Sequence, residues 1–197
     1  MEKYNTLLVD VPLASNQRKD GKRNCEQHYP CMTVEELKAL QIPSSDNCLL
    51  LFWGWNQRLP ECLEIIKAWG FEYKTIITWI KPHMGIGNYI RNASEHILIA
   101  TKGKNAVNPA KRHISWFIAE RREHSKKPEM QYDIAEILGK PPYAELFARH
   151  TRNGWFSWGN EVNKFDINKQ EVKSGKNAND DGIPPNNKLL GILPTIL

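Results

Sequence analysis

The stretch Asn5-Thr6-Leu7-Leu8-Val9-Asp10-Val11-Pro12-Leu13 decides how this chain folds. Asn5–Val9 is a short apolar run, the pattern of a strand buried in a sheet. It ends on a carboxylate, Asp10, and a proline-stiffened turn follows. In an open α/β sheet such a position points into the cleft outside the C-terminal strand ends, where ligands bind. Taken alone, Asp10 reads more simply as a turn or cap residue, so the rest of the chain must decide.

Outward from this run, strand and helix patterns alternate. Thr33-Val34-Glu35-Glu36 is a capping box that opens a helix toward Leu40. Asn47–Trp55 is a second strand. Pro60 starts a helix whose apolar side carries Leu63, Ile65, Ile66 and Trp69, and Gly70 ends it. Tyr73–Ile80, His96–Thr101 and Ile114–Ala119 read as strands, Pro128–Leu138 as a helix stopped by Gly139, and Tyr143–Ala148 as another strand. This alternation implies an α/β domain with a largely parallel sheet. Asp10 sits at one strand end and Arg149 follows another.

The 197 residues suffice for one domain with a tail, and 41% hydrophobic residues with seven Trp supply a core, which excludes global disorder. The domain is expected over 1–162. Residues 163–197 read as a polar, flexible tail rich in Asn, Lys, Asp, Gly and Pro, with an apolar end at Leu189–Leu197 that either docks or hangs loose. No apolar run approaches the roughly 18 residues that span a bilayer, and no secretory leader is evident. Cys25, Cys31, Cys48 and Cys62 form no Cys-x-x-Cys pair, so free thiols in a reducing cytoplasm are expected.

Several familiar chemistries lack their signatures. Gly85-Ile86-Gly87 has no third glycine and opens no apolar helix, so it reads as a turn and not as a dinucleotide loop. There is no phosphate-binding P-loop and no Gly-x-Ser-x-Gly elbow. Cys25-x-x-His28-x-x-Cys31 falls short of the four ligands that structural zinc needs, so no metal is expected.

Lys+Arg number 27 against 22 Asp+Glu, a net charge of +5 that leans toward polyanionic partners. Three basic clusters follow strands: Arg18, Lys19, Lys22 and Arg23; Lys102, Lys104, Lys111 and Arg112; Arg121, Arg122, Lys126 and Lys127. Gathered at one end of the sheet they would form a phosphate track; separately, each is a solvated loop.

A set of short motifs in one order resembles the MT-A70 family of adenine methyltransferases. It runs from about Tyr4 to Glu161. The family's Asp-Pro-Pro-aromatic hallmark meets Asp10-Val11-Pro12-Leu13. His28-Tyr29-Pro30-Cys31-Met32, Leu51-Phe52-Trp53, Ala68-Trp69-Gly70-Phe71, Thr78-Trp79-Ile80-Lys81 and Tyr89-Ile90-Arg91-Asn92 follow. Glu95, Thr101-Lys102-Gly103-Lys104, Arg122-Glu123-His124-Ser125-Lys126-Lys127-Pro128, Glu145-Leu146-Phe147-Ala148-Arg149 and Trp155 through Trp158-Gly159-Asn160-Glu161 complete it.

The resemblance implies a class I methyltransferase fold, a Rossmann-like sheet with helices on both faces and a permuted motif order. It implies S-adenosyl-L-methionine as methyl donor and the 6-amino group of adenine in nucleic acid as acceptor, DNA ahead of RNA. In a duplex the target base would flip out of the stack. Asp10 and the Val11 carbonyl would accept hydrogen bonds from the target amine, Pro12 would stiffen the turn, and Leu13 holds the place where the family's aromatic ring stacks on the base, a contact leucine cannot make. Lys127 would meet the cofactor's carboxylate, and Asp10 its ammonium. Arg149 with Thr151 or Arg152 would reach the ribose, and Asn160 with Glu161 the adenosine end. Val11 and Leu13 depart from the family's proline and aromatic residue. The departure sets beside the enzyme a second reading, a nucleic-acid- or partner-binding protein that keeps the fold.

Overall fold

A computed structural model of the chain describes residues 2–14, 31–85, 89–122, 126–160 and 162. Its strands are β1 (Tyr4–Val9), β2 (Ser44–Gly54), β3 (Glu72–Ile80), β4 (Ser94–Lys102), β5 (Trp116–Ile118), β6 (Tyr143–Leu146) and β7 (Trp155–Trp158). The helices are α1 (Val34–Ala39), α2 (Leu59–Ala68) and α3 (Met130–Leu138). The strands form one sheet in the order β5-β3-β4-β2-β1-β6-β7. β1 pairs in parallel with β2 and β6, β6 with β7, and β3 with β5. β4 alone runs antiparallel, to β2 and to β3.

Side chains alternate across a strand, so the buried run of β2 feeds two cores. Cys48, Leu50 and Phe52 join Leu7 and Val9 of β1 on one face, under Leu37 of α1 and Cys62, Ile65 and Ile66 of α2. Leu49, Leu51 and Trp53 join Leu8 on the other, under Tyr132, Ile134 and Ala135 of α3. Each fully buried side chain of this size contributes about 1.5–3 kcal/mol, which fixes β1 and β2 at the centre of the sheet.

The local signals act as the sequence suggests. The Thr33 hydroxyl accepts from the Glu36 amide at 3.2 Å, and the Glu36 carboxylate accepts from the Thr33 amide at 2.7 Å. Pro60 lies in the first turn of α2, and Gly70 turns the chain out of the helix at φ +81°. The Trp69 indole donates to the Leu37 carbonyl at 2.8 Å and ties α2 to α1.

Three features differ from expectation. β4 is antiparallel, and the described residues of 81–93 form no crossover helix: the Lys81 amide donates to the Ala93 carbonyl at 2.8 Å and closes a hairpin. β5 is confined to Trp116–Ile118 within the expected Ile114–Ala119, and β7 is a strand where only a motif was read. Among the described residues, no helix is long and apolar enough to cross a membrane. Cys48 and Cys62 are free thiols, and burial pushes the Cys48 thiol up to about 12. Cys25, His28, the cluster Arg18–Arg23 and residues 163–197 lie outside the described residues.

Candidate functional site

With six strands sharing a direction, the loops after β1, β2, β3, β5, β6 and β7 gather at one edge of the sheet. Antiparallel β4 delivers its beginning there instead. At this edge a cleft of about 380 Å³ is lined by Asp10, Val11, Trp55, Lys81, Glu95, Arg121, Lys127 and Arg149, among others.

The polar centre of the cleft joins residues from four separate segments. The Lys127 ammonium lies 3.2 Å from Asp10 Oδ2 and 3.3 Å from Glu95 Oε2. Lys81 pairs with the other oxygen of Glu95. The ammonium of Lys127 also sits 5.0 Å above the ring of Trp53, and that of Lys81 4.6 Å from the ring of Trp79. Burial works against the charge on Lys127, but the carboxylates of Asp10 and Glu95 outweigh it and raise its pKa. Burial likewise works against the charge on Glu95; Lys127 and Lys81 overcome it and hold the carboxyl below its usual range. The result is a row of alternating charges, Lys81–Glu95–Lys127–Asp10.

The Asp10 loop is pinned on its far side. Val11 O accepts from the Leu13 amide at 2.9 Å, and Pro12 O from the Met32 amide at 2.7 Å. Leu13 bridges to Met32, and its side chain, 1% exposed, packs into the core with Val11. Position 13 was expected to face the base; its side chain instead points away from the cleft. A carbonyl has two lone pairs, so Val11 O can still accept a second bond.

The cofactor-side residues divide. Lys127 and Arg149 line the Asp10 cleft. Thr151 and Arg152 line a second concavity with Glu129, Glu136 and His150. There Arg152 lies 4.4 Å from the Tyr132 ring centre and 3.4 Å from Glu129 and from Glu136. Asn160 is exposed just past β7; Glu161 lies outside the described residues. Phe147, at φ 62°, makes a sharp left-handed turn after β6 that sends Ala148 and Arg149 toward the edge. Gly159 passes so close that a Cβ there would lie 2.3 Å from the Ala148 carbonyl oxygen.

Beneath this turn Glu145 is buried, and Tyr132 donates to its Oε2 at 2.7 Å. The Tyr132 oxygen is also 3.1 Å from Nε2 of His150. Burial pushes the Glu145 carboxyl up to about 7 despite the Tyr132 hydrogen bond, and the charge of Asp10 adds to the rise.

The basic clusters do not share an edge. Lys102 reaches Ser44 at the start of β2, and the Lys104 amide donates to Asn47, so this cluster begins at the opposite edge. Arg121 lines the cleft, whereas Arg122 is held by Glu129 at 2.6 Å. Sequence reading also missed the part played by Lys81 and Glu95, although both stood inside quoted motifs. A lysine just after one strand and a glutamate just inside the next, joined by a short loop, was the available signal.

The MT-A70 family model matches residues 4–161. The type II methyltransferase M.MunI of Mycoplasma sp is 33% identical over 156 residues, covering 75% of this chain and 67% of that protein. The N6-methyladenosine RNA methyltransferase MTA1 of Cryphonectria parasitica is 33% identical over 187 residues, covering 87% of this chain and 55% of that protein. The N(6)-adenine-specific methyltransferase METTL4 of Homo sapiens is 27% identical, covering 82% of this chain and 38% of that protein. The chain thus spans about half or less of the last two relatives.

Proposed function

Since the chain belongs to the MT-A70 family, matched over residues 4–161, we propose that it methylates the 6-amino group of adenine in nucleic acid, with S-adenosyl-L-methionine as donor. DNA is the first substrate to test and RNA the second. The observation that carries the reading is the meeting of Asp10, Lys127 and Glu95 in one cleft at the C-terminal edge of the sheet.

The residues suit the donor. A ligand bearing a carboxylate and an ammonium matches a wall on which Lys127 and Asp10 stand side by side. Gly159, with no Cβ, lets the turn after β7 close on Ala148 beside Arg149. Lys127 would hold the carboxylate, Asp10 the ammonium, Arg149 the ribose and Asn160 the adenosine end. Thr151 and Arg152 stand further along the same loop. The bound donor supplies a methyl group made electrophilic by a sulfonium.

The chain's own part is positioning. Asp10 accepts a hydrogen bond from the target amine, and the second lone pair of Val11 O accepts another. This turns the nitrogen lone pair toward the methyl group, an orientation effect that removes much of the entropic barrier. Glu95, between two lysines, keeps Lys127 in place beside Asp10. The low solvent exposure of Lys127 strengthens these contacts relative to water.

The test is transfer of tritium from labelled S-adenosyl-L-methionine to defined DNA and RNA oligonucleotides. The wild type should label adenine-containing strands. Asp10→Ala should lose transfer by about a hundredfold or more in a protein that still folds, though with a melting temperature lowered by loss of the Lys127 pair. Cofactor binding without transfer to any strand would favour the binding-protein reading raised by Val11 and Leu13. Wild-type turnover by Asp10→Ala would show that another residue orients the amine.

A further inference from the structure

An adenine taken out of a stack loses contact on both faces, and an aromatic side chain in the pocket that holds it replaces that contact best. Leu13 cannot serve, because its side chain is in the core. Trp53 and Trp79 are buried, with their ring N–H groups given to Gln131 and the Ala119 carbonyl. Tyr89 is fully exposed and is not part of the cleft lining. The described residues of the lining are otherwise charged, amide, hydroxyl, glycine or valine, and they include one aromatic side chain, Trp55.

Trp55 is also held where such a face is needed. It follows Gly54, the last residue of β2, beside β1, the strand that leads into Asp10. Its carbonyl accepts from the Arg58 amide at 3.0 Å and begins a 3-10 turn over Asn56–Arg58. The Arg58 guanidinium is fixed by Glu61 at 3.0 Å and donates to the Ala14 carbonyl. The turn carrying Trp55 is thereby tied to the segment carrying Asp10. The Trp55 residue is half-buried and contributes to the wall of the cleft.

We propose that Trp55 is the stacking face for the target adenine, supplying from β2 the aromatic contact that the Asp10–Leu13 loop lacks. The proposal rests on the adenine reading above and assigns the base's place within it. Trp55 lies outside every motif quoted for the family resemblance.

The test reads binding apart from turnover. The full chain, saturated with S-adenosylhomocysteine, is titrated into fluorescent single strands bearing either one central adenine or an abasic site there. The wild type should prefer the adenine strand by roughly tenfold to a hundredfold, the worth of one base–aromatic stack. Trp55→Ala should shrink the preference to about twofold or less, and Trp55→Phe should restore most of it. S-adenosylhomocysteine affinity by calorimetry and the melting temperature should stay as in wild type. A full preference in Trp55→Ala, or none in the wild type, overturns the proposal, as does a folded Trp55→Phe that behaves like the alanine variant. A wild type that discriminates but transfers no methyl refutes the enzyme and leaves Trp55 in place. A wild type that methylates, with Trp55→Ala equal to it in kcat/KM, refutes Trp55 alone.

Discussion

Replacing Glu145 by glutamine should make the protein less sensitive to alkaline pH, by an amount the structure sets. The folded carboxyl titrates at about 7, raised chiefly by burial, whereas an unfolded glutamate titrates near 4.3. The folded state therefore holds this proton more tightly. The stability that follows is fully present below the unfolded value and is lost as pH rises through the folded one. At 1.36 kcal/mol per pH unit the whole loss is about 4 kcal/mol, of which about 2.5 falls between pH 5 and pH 8. Glutamine keeps an acceptor for the Tyr132 hydroxyl but has nothing to titrate. Its own packing cost is the same at every pH and cancels in the comparison. The assay is thermal unfolding of both proteins at pH 5 and pH 8. For a domain of this size the gap between them should move in favour of Glu145→Gln by roughly 5–10 °C on going to pH 8. Parallel pH dependences would refute the reasoning, since they would mean that folding does not raise the Glu145 titration into the range between pH 5 and pH 8.

Glu95→Ala should destabilise the protein by about 2–4 kcal/mol in denaturant titrations, below the usual cost of breaking a buried pair because the Glu95 side chain keeps 32% of its exposure. The contribution of Glu95 should be full above the ordinary carboxylate range and fade as pH falls through its lower folded value, so the two proteins should converge in stability in acid. Leu13→Trp should lower the melting temperature rather than improve substrate binding, because the indole must enter a filled core, at a cost of about 1–3 kcal/mol; a variant of undiminished stability would show that position 13 can turn outward. Gly159→Ala should drive its new methyl into the Ala148 backbone. Calorimetry should then show weakened S-adenosylhomocysteine binding through displaced Arg149, and unchanged affinity would show that the β6–β7 approach does not shape the cofactor end.

The sequence revealed what local chemistry controls. The β1 run, the Thr33 capping box, Pro60 and Gly70 all act within a few residues of themselves, and all were legible. The direction of β4 was less so, because an apolar strand looks the same read either way. Only the lack of a helical pattern in the sequence between Ile80 and Ser94 betrays it, and that same reversal carried the Lys102 cluster away from the cleft. Motif position placed Asp10, Lys127 and Arg149 on one cleft wall. It did not disclose that Leu13 turns inward, since its burial depends on pairing with Met32, across an intervening stretch of chain. Nor did it reveal Glu95 as the link between Lys81 and Lys127, a relation that exists only once β3, β4 and the segment after β5 are side by side.

The hairpin at 81–93 gives the sheet an adjustable margin. A crossover between parallel strands must travel the length of the sheet and pack against it, so its length is constrained. The β3–β4 connection only has to leave and return at the same edge, with both ends fixed by the Lys81–Ala93 hydrogen bond. Doubling such a loop costs only about 0.6 kcal/mol of closure entropy. Its Met84, Tyr89 and Ile90 are exposed, while Gly85 and Asn92 of the same connection line the cleft. This is the segment where insertions could retune what the protein recognises while Lys81 and Glu95, at its two feet, stay in register.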